Sequence, residues 1–271
     1  MRKRVWLLIC ICFALVGICS VNLPRHDIQL SFLDVGQGDS IFIRTPDDYV
    51  VLIDGGPTSS VVEELAAVLP RYSRRIDILV LTHPHADHVN GLVEVVKRFD
   101  IGKVILVGTP SSNTYYQEFL HLCDVWEIPI YYAQAHHDVK IGSFLYLDIV
   151  WPFHVMAGKS FENLNNASLA MRIITPRKVV MLTGDAETEE EHEMLESGFD
   201  LSAHILKAGH HGSKTASCDE FLDAVKPKTV VIQSGANNSF GHPHKKALEK
   251  FVKKTIKVRR NDMEGRIEFM L

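Results

Sequence analysis

A chain of 271 residues is long enough for one large domain or two small ones. With 46% hydrophobic and 23% charged residues it has the makeup of a folded globular chain and not of a disordered one. A formal net charge of −4 excludes wholesale attraction to nucleic acid, so any polyanion would have to be held by a local patch or through bound metal.

Arg2, Lys3 and Arg4 precede an uncharged apolar run from Val5 to Val21. A basic start followed by an apolar run is the layout of an export signal, and about 17 residues is also the lower limit for a membrane-crossing helix. Residues 1–23 are therefore expected to be a signal peptide or an uncleaved N-terminal membrane anchor. Residues 24–271 would then form a single domain held outside the cytoplasm, either secreted or on the outer face of the cell membrane. Val16-Gly17-Ile18-Cys19 is an imperfect lipidation site, since Ile18 is large for the position before the cysteine. Cys123 and Cys218, the two cysteines beyond this segment, have no metal-knuckle spacing and read as buried free thiols.

From Ile28 onward short apolar runs alternate with amphipathic stretches. The runs predict strands over 28–34, 39–44, 49–53, 77–82, 103–107, 129–132, 145–150, 168–174, 178–183, 203–207, 228–232, 256–260 and 265–270. Apolar residues at i, i+3 and i+4 predict helices over 59–69, 89–99, 113–123, 186–196, 217–225 and 243–254. Early strands come in hairpin-like pairs and later ones alternate with helices. The expected fold is α/β: an αββα four-layer sandwich of two mixed β-sheets flanked by helices.

One heptapeptide carries most of the chemistry, Thr82-His83-Pro84-His85-Ala86-Asp87-His88, directly after the apolar run Ile78-Leu79-Val80-Leu81. Three imidazoles and a carboxylate at a strand end suit metal better than an apolar core. His83 and His85, two apart in an extended loop, can grip one ion from one side, and Asp87 and His88 can reach a second. Two divalent ions ~3.5–4 Å apart, zinc or manganese, would share a bridging carboxylate, which demands another aspartate and more histidine at strand ends downstream. Val179-Val180-Met181-Leu182-Thr183-Gly184-Asp185 provides the aspartate, although a residue there could also cap the following helix. His204-Ile205-Leu206-Lys207-Ala208-Gly209-His210-His211-Gly212-Ser213 provides the histidines, with Ser213 and Lys214 beside them. His242 and His244 open the last helix, and Asp54 could hydrogen-bond a liganding imidazole.

These strings, in this order, resemble the metallo-β-lactamase superfamily, and within it the metallo-hydrolase domain of ComEC-type DNA-uptake (competence) proteins, as a stand-alone form. Further strings share the likeness: Phe32-Leu33-Asp34-Val35-Gly36-Gln37-Gly38-Asp39-Ser40, Leu52-Ile53-Asp54-Gly55-Gly56, Asn165-Asn166-Ala167-Ser168-Leu169 and Gly235-Ala236-Asn237-Asn238-Ser239-Phe240-Gly241-His242-Pro243-His244. ComEC proteins set this domain in a many-helix channel, and no comparable spans occur here. Many superfamily members also carry a histidine between the heptapeptide and the later aspartate. His121, His136, His137 and His154 lie in that interval, but none sits in a matching string. The resemblance implies that Asn165 or Asn166 approaches the first ion instead, directly or through water. It also assigns His211 to the second ion and His210 to substrate.

The metal ligands expected are thus His83, His85, Asp87, His88, Asp185 and His211. Asp87, His210 and His242 are the candidate catalytic residues, with His242 as proton donor. Asp54, Asn165, Asn166, Ser213, Lys214 and His244 are expected near substrate or behind the ligands. The function implied is an extracytoplasmic metal-dependent phosphodiesterase or nuclease acting on DNA. Alternatives are a phosphodiesterase for cell-envelope phosphocholine or teichoic-acid esters, and a non-catalytic, membrane-tethered DNA-binding module. A separate DNA-channel protein is a possible partner. The basic stretch Lys245-Lys246, Lys250, Lys253-Lys254, Lys257 and Arg259-Arg260 could guide a DNA backbone or be solvated surface.

Overall fold

A computed structural model of the protein describes residues 27–271 except Tyr72. The expected signal peptide or anchor over residues 1–23 lies outside the described residues. Among those described, no helix is long and apolar enough to cross a membrane.

The strands, in chain order, are β1 (Gln29–Phe32), β2 (Ile41–Arg44), β3 (Val50–Ile53), β4 (Arg75–Ile76), β5 (Ile78–Leu81), β6 (Asp100–Ile101), β7 (Val104–Leu106), β8 (Ile130–Tyr132), β9 (Val139–Ile141), β10 (Leu145–Trp151), β11 (Ala170–Ile174), β12 (Val179–Leu182), β13 (Ile205–Lys207), β14 (Thr229–Ile232), β15 (Lys257–Arg260) and β16 (Ile267–Met270). The helices are α1 (Ser60–Val68), α2 (Ala86–Arg98), α3 (Thr114–Val125), α4 (Thr188–Glu196), α5 (Asp219–Val225), α6 (Lys245–Lys253) and α7 (Asn261–Glu264). Two seven-stranded sheets result, in the orders β16-β1-β2-β3-β5-β7-β8 and β15-β14-β13-β12-β11-β10-β9. Both are mixed. β3, β5, β7 and β8 run parallel in the first sheet, as do β12, β13, β14 and β15 in the second, and the remaining pairs are antiparallel.

The layers follow from side-chain alternation along strands buried on both faces. In β5, Ile78 and Val80 point into the core between the sheets, while Leu79 and Leu81 join the core under α1, α2 and α3. On the other side, Met194 of α4, Phe221 and Leu222 of α5 and Phe251 of α6 pack onto the second sheet. Each sheet is therefore covered by helices on its outer face, which makes four layers.

Three departures from the sequence expectation have physical causes. The β4–β6 pair, β9 and α7 are each two to four residues long, too short for periodicity to show. α2 starts at Ala86, three residues before the expected boundary at 89, so Asp87 and His88 stand in its first turn and not on a loop. α4 starts at Thr188 with Glu187 as its N-cap, so Asp185 is not a capping residue.

Two buried amides tie the sheets together at the end where the parallel strands finish. Gln233, just past β14, donates through Nε2 to the carbonyls of Leu33 and Ser40 at 3.1 and 3.0 Å. Asn261 donates to the carbonyls of Phe32 and Gly265 at 3.1 and 2.9 Å. Replacing Gln233 by Leu removes one hydrogen bond from each of two buried carbonyls, which keep the Leu33 N–H and the Asn261 amide as partners, so Gln233→Leu should cost about 1–3 kcal/mol in urea unfolding. A cost below ~0.5 kcal/mol, the range of ordinary surface changes, would show that the tie is dispensable.

Candidate metal centre

Parallel strands bring their C-terminal ends to one edge of the sandwich. β3 delivers Asp54 and β5 delivers Thr82 and His83 from the first sheet. β12 delivers Asp185, β13 Lys207 with His210 and His211 beyond it, and β14 Gln233 from the second. Ligand atoms of Asp87, His88, Asp185 and His211 all lie within 4.8 Å of one another. His83 and His85 adjoin them: His83 Nε2 is 3.1 Å from His85 Nδ1, and the His83 and His88 ring centroids are 4.2 Å apart.

The rings are held so that one nitrogen of each faces inward. His88 Nδ1 is 2.8 Å from Asp54 Oδ2, and His211 Nδ1 is 2.9 Å from the carbonyl of Gln233. Those partners fix one proton on Nδ1 and leave Nε2 as the atom that would ligate a cation in exchange for its own proton. Thr82 donates its hydroxyl to Asp54 at 2.7 Å and its backbone N–H to the same carboxylate at 2.8 Å. With that hydroxyl proton spent, the 3.1 Å contact from His83 Nδ1 to Thr82 Oγ1 makes Nδ1 the donor, and His83 Nε2 faces His85 Nδ1. Asp54 is thus the anchor of the heptapeptide. Gly38 guards the approach, because its φ of +147° and its seat against the backbone carbonyl of Asp87 leave no room for a Cβ.

Asp185 stands between the two inward nitrogens, its Oδ2 3.1 Å from His211 Nε2 and 3.3 Å from His88 Nε2. His88 Nε2 is buried yet lacks the alignment of a hydrogen bond to any atom of the described residues. An inward imidazole nitrogen without an aligned partner, beside carboxylates, fits a divalent cation in place of its proton. Donors of this kind, imidazole nitrogen with carboxylate oxygen, suit zinc and manganese alike.

Sequence reasoning did not assign a role to Lys207. It is fully buried, and its ammonium spends three protons on the carbonyl of Gly184 at 2.7 Å, on Asp185 Oδ1 at 3.2 Å and on Asp39 Oδ2. One oxygen of Asp185 is therefore taken by Lys207 and the other left facing His88 and His211. Asp39 also reaches His211 Nδ1 at 3.3 Å. A lysine in an apolar strand followed by Ala-Gly-His-His reads as solvent-facing, because nothing local reveals the two carboxylates across the sheet gap. Ser168 was missed likewise: its hydroxyl accepts the backbone N–H of Asp185 at 3.0 Å.

The remaining candidates divide. His210 and His211 sit on a tight turn with φ of +46° and +54°, which sends one ring outward and the other inward. His211 faces Asp87 and Asp185, while His210 Nδ1 lies 3.1 Å from Glu187 Oε1. Asn165 is buried, donates to Glu187 at 2.8 Å, and keeps its Oδ1 without a partner. Asn166 is corrected: its amide bonds Glu189 Oε2 at 2.7 Å and accepts the N–H of Glu187 at 3.1 Å, so both ends are committed to the start of α4. The hydroxyl of Ser213 pairs with Thr215 Oγ1 at 2.9 Å within its own turn. Lys214 is exposed, and its engaged group is the backbone N–H, which donates to His244 Nδ1 at 3.0 Å.

His242 is buried, with its ring 6.0 Å from that of His211 and 5.2 Å from that of His210. Burial, with the neighbouring His211, His210 and His244, lowers its pKa to about 4. Burial and these neighbours disfavour a second proton on the ring, which weighs against a role as proton donor. The basic stretch is partly paired. Lys245, Lys254, Arg259 and Arg260 pair with Glu249, Asp223, Glu264 and Asp262, and Lys250 donates to the carbonyls of Ala216 and Ser217.

Charge in the centre follows from crowding. Burial disfavours the charged form of His88, but the carboxylates of Asp185, Asp54 and Asp87 outweigh it and hold its pKa well above the ordinary 6.5. His211 is raised well above for the same reason, through Asp185 and Asp39. Burial alone would raise Asp185, yet His211, His88 and Lys207 hold it well below the usual carboxylate range. Without metal, two imidazolium protons thus occupy the place a cation would take.

Two outcomes are expected. The imidazolium pairs stabilise the metal-free fold fully below pH 6.5, and that contribution is lost as pH climbs through the raised folded values. Melting in chelator should therefore fall with pH above 6.5, and metal uptake should release protons and tighten over the same range. Calorimetry in buffers of differing ionisation enthalpy that detects no proton release would refute this. Secondly, Lys207→Met should destabilise the metal-free protein by roughly 3–5 kcal/mol by leaving buried carboxylates uncompensated. Added divalent ion should recover part of that loss, and equal destabilisation with and without ion would count against the charge account.

A family model described as the metallo-beta-lactamase superfamily matches residues 33–235. ComE operon protein 3 of Bacillus subtilis (strain 168) is 29% identical over 260 residues, covering 89% of this chain and 33% of that protein. Competence protein ComA of Neisseria gonorrhoeae is 26% identical over 254 residues, covering 92% of this chain and 33% of that protein. The chain thus spans about a third of the length of these relatives. Among solved structures, the metallo-beta-lactamase fold protein YhfI from Bacillus subtilis superposes with a TM-score of 0.59 at 14% identity, over 90% of this chain and 100% of that one.

Proposed function

The chain belongs to the metallo-β-lactamase superfamily, and from that premise we propose that it is a two-metal phosphodiesterase that cleaves DNA outside the cytoplasm. The observation that carries the proposal is Asp185 Oδ2, placed 3.1 and 3.3 Å from two imidazole nitrogens whose other nitrogens are already pinned. A carboxylate so placed would bridge one ion held by His83 and His85 and another held by Asp87, His88 and His211. When bound, such ions polarise a phosphorus centre and lower the pKa of water toward ~7, which supplies the nucleophile.

The protein's own contribution is orientation. Asp54 and the Gln233 carbonyl keep the tautomers of His88 and His211 correct, and Lys207 keeps Asp185 from swinging wholly onto one side. His210, partly exposed and facing Glu187, is the imidazole placed to meet a phosphate oxygen or a departing alkoxide. His242 stays neutral and offers a hydrogen bond, not a proton. Asn165 Oδ1, buried and unpartnered, is the amide oxygen left to reach the first ion. An amide in place of a third imidazole binds that ion less tightly and favours manganese.

The resemblance to competence proteins supports DNA as the substrate, with a separate channel protein presenting the strand and the N-terminal segment holding the enzyme at the membrane. A second reading, small cell-envelope phosphodiesters, is favoured by the pairing of four of the eight basic side chains around α6 and β15 with carboxylates, which reduces what that surface offers a long polyanion. The test is to strip the purified protein, reload it with manganese or zinc, and assay DNA, bis(p-nitrophenyl) phosphate and p-nitrophenylphosphorylcholine. Cleavage of DNA is expected, and His85→Ala or Asp185→Ala should lower turnover about a thousandfold, the several kcal/mol that bound metal supplies. Hydrolysis of small esters without DNA cleavage would establish the second reading, and no hydrolysis would refute both.

A further inference from the structure

The loop before α6 presents one large apolar side chain beside the centre. Phe240 is 62% exposed, and its ring stacks on that of His242 with centroids 5.9 Å apart and planes at 20°. His242 is itself 6.0 Å, ring to ring, from His211, so a series of three rings leads from solvent to the carboxylate cluster. Its Nδ1 is buried and has no hydrogen-bond partner among the described residues.

The loop is built to hold Phe240 there. Asn238 Oδ1 accepts the backbone N–H groups of Phe240 and His242 at 3.1 and 3.0 Å, and its amide donates to the carbonyls of Gly235 and His242 at 2.9 and 2.6 Å. Gly235 donates to Gln37 Oε1 at 3.1 Å and lies so close to that turn that a Cβ would fall 2.7 Å from the Gln37 nitrogen. A flexible loop would bury a phenyl ring; this one keeps it in water, where leaving it costs about 1.5–3 kcal/mol.

We infer that Phe240 is a stacking platform for the nucleobase next to the phosphodiester held at the metal centre. The ring lies nearly parallel to that of His242 and is more than half exposed, which suits a single flat partner stacking beside the centre. A quaternary ammonium such as choline calls for several rings around it, and a glycerol- or ribitol-phosphate unit has no plane to stack. Stacking also gives affinity that does not depend on backbone charge and adds to what the partly paired basic stretch supplies. The inference rests on the phosphodiesterase proposal and selects single-stranded polynucleotide, whose bases are free to turn outward, as the substrate class.

Kinetics on the manganese-loaded full-length protein test it, with single-stranded oligodeoxynucleotides, the same oligonucleotides carrying one abasic nucleotide beside the cleaved bond, and p-nitrophenylphosphorylcholine. Phe240→Ala should raise the ratio of the oligonucleotide KM to the phosphorylcholine KM roughly 10-fold, and Phe240→Trp should restore it. The abasic nucleotide should cost the wild type a similar factor and cost Phe240→Ala nothing further. An abasic penalty that persists in Phe240→Ala, or an unchanged ratio, overturns the inference. A selective rise in the phosphorylcholine KM overturns it in favour of a cationic headgroup. Wild-type hydrolysis of the small ester with no oligonucleotide cleavage removes the platform while leaving the hydrolase intact, and absence of both activities removes the hydrolase as well.

Discussion

Repulsion among four carboxylates governs this edge of the molecule. Asp39, Asp54 and Asp185 are buried and Asp87 partly so, all around His88 and His211. Like charges so close and so dry cannot all remain ionised without cations among them. The protein provides one permanent cation, Lys207, and two imidazoles that take up protons when nothing better is present. A divalent ion concentrates more charge in less space, and the same atoms that now share protons would hold it.

That demand explains features of the fold that otherwise look unrelated. Both sheets are mixed, and each turns parallel where it feeds the centre. Parallel strands are what put several C-terminal ends, with their loops and outward-facing groups, at one edge. Cross-ties through Gln233 and Asn261 sit at that same edge and set the gap between the sheets. Gln233 serves twice: its side chain holds the first sheet, and its carbonyl holds the ring of His211. The Asn-Asn-x-Ser-Leu segment works similarly, with Asn166 fixing the start of α4, Ser168 holding the backbone of Asp185, and Leu169 donating to the carbonyl of Thr82 at 3.0 Å.

Around the centre the rim is asymmetric. His210, His242 and His244 come from the second sheet's loops, with Phe240 outermost. Burial and neighbouring imidazoles disfavour a second proton on His242, while His210 lies at the opening with Glu187 as its carboxylate partner.

The sequence by itself determined the layers and the ligand-type residues. Runs such as Ile78–Leu81 and Val179–Leu182 are apolar on both faces, which demands burial on both sides and hence a covered sheet. A histidine-rich heptapeptide at a strand end is legible because so many imidazoles in six positions have no structural use. What only the tertiary structure decided is the pairing across the sheets: which of His210 and His211 turns inward, that Asn165 and not Asn166 keeps a free oxygen, and that Lys207 is an internal cation. It also decided that half of the basic stretch is paired with carboxylates and that His242 is buried among other imidazoles. The physical reason is common to these cases. Periodicity reports whether a side chain is buried, whereas charge state, tautomer and partner depend on groups that folding brings close from distant parts of the chain, as it brings Asp39 to Lys207 and His211.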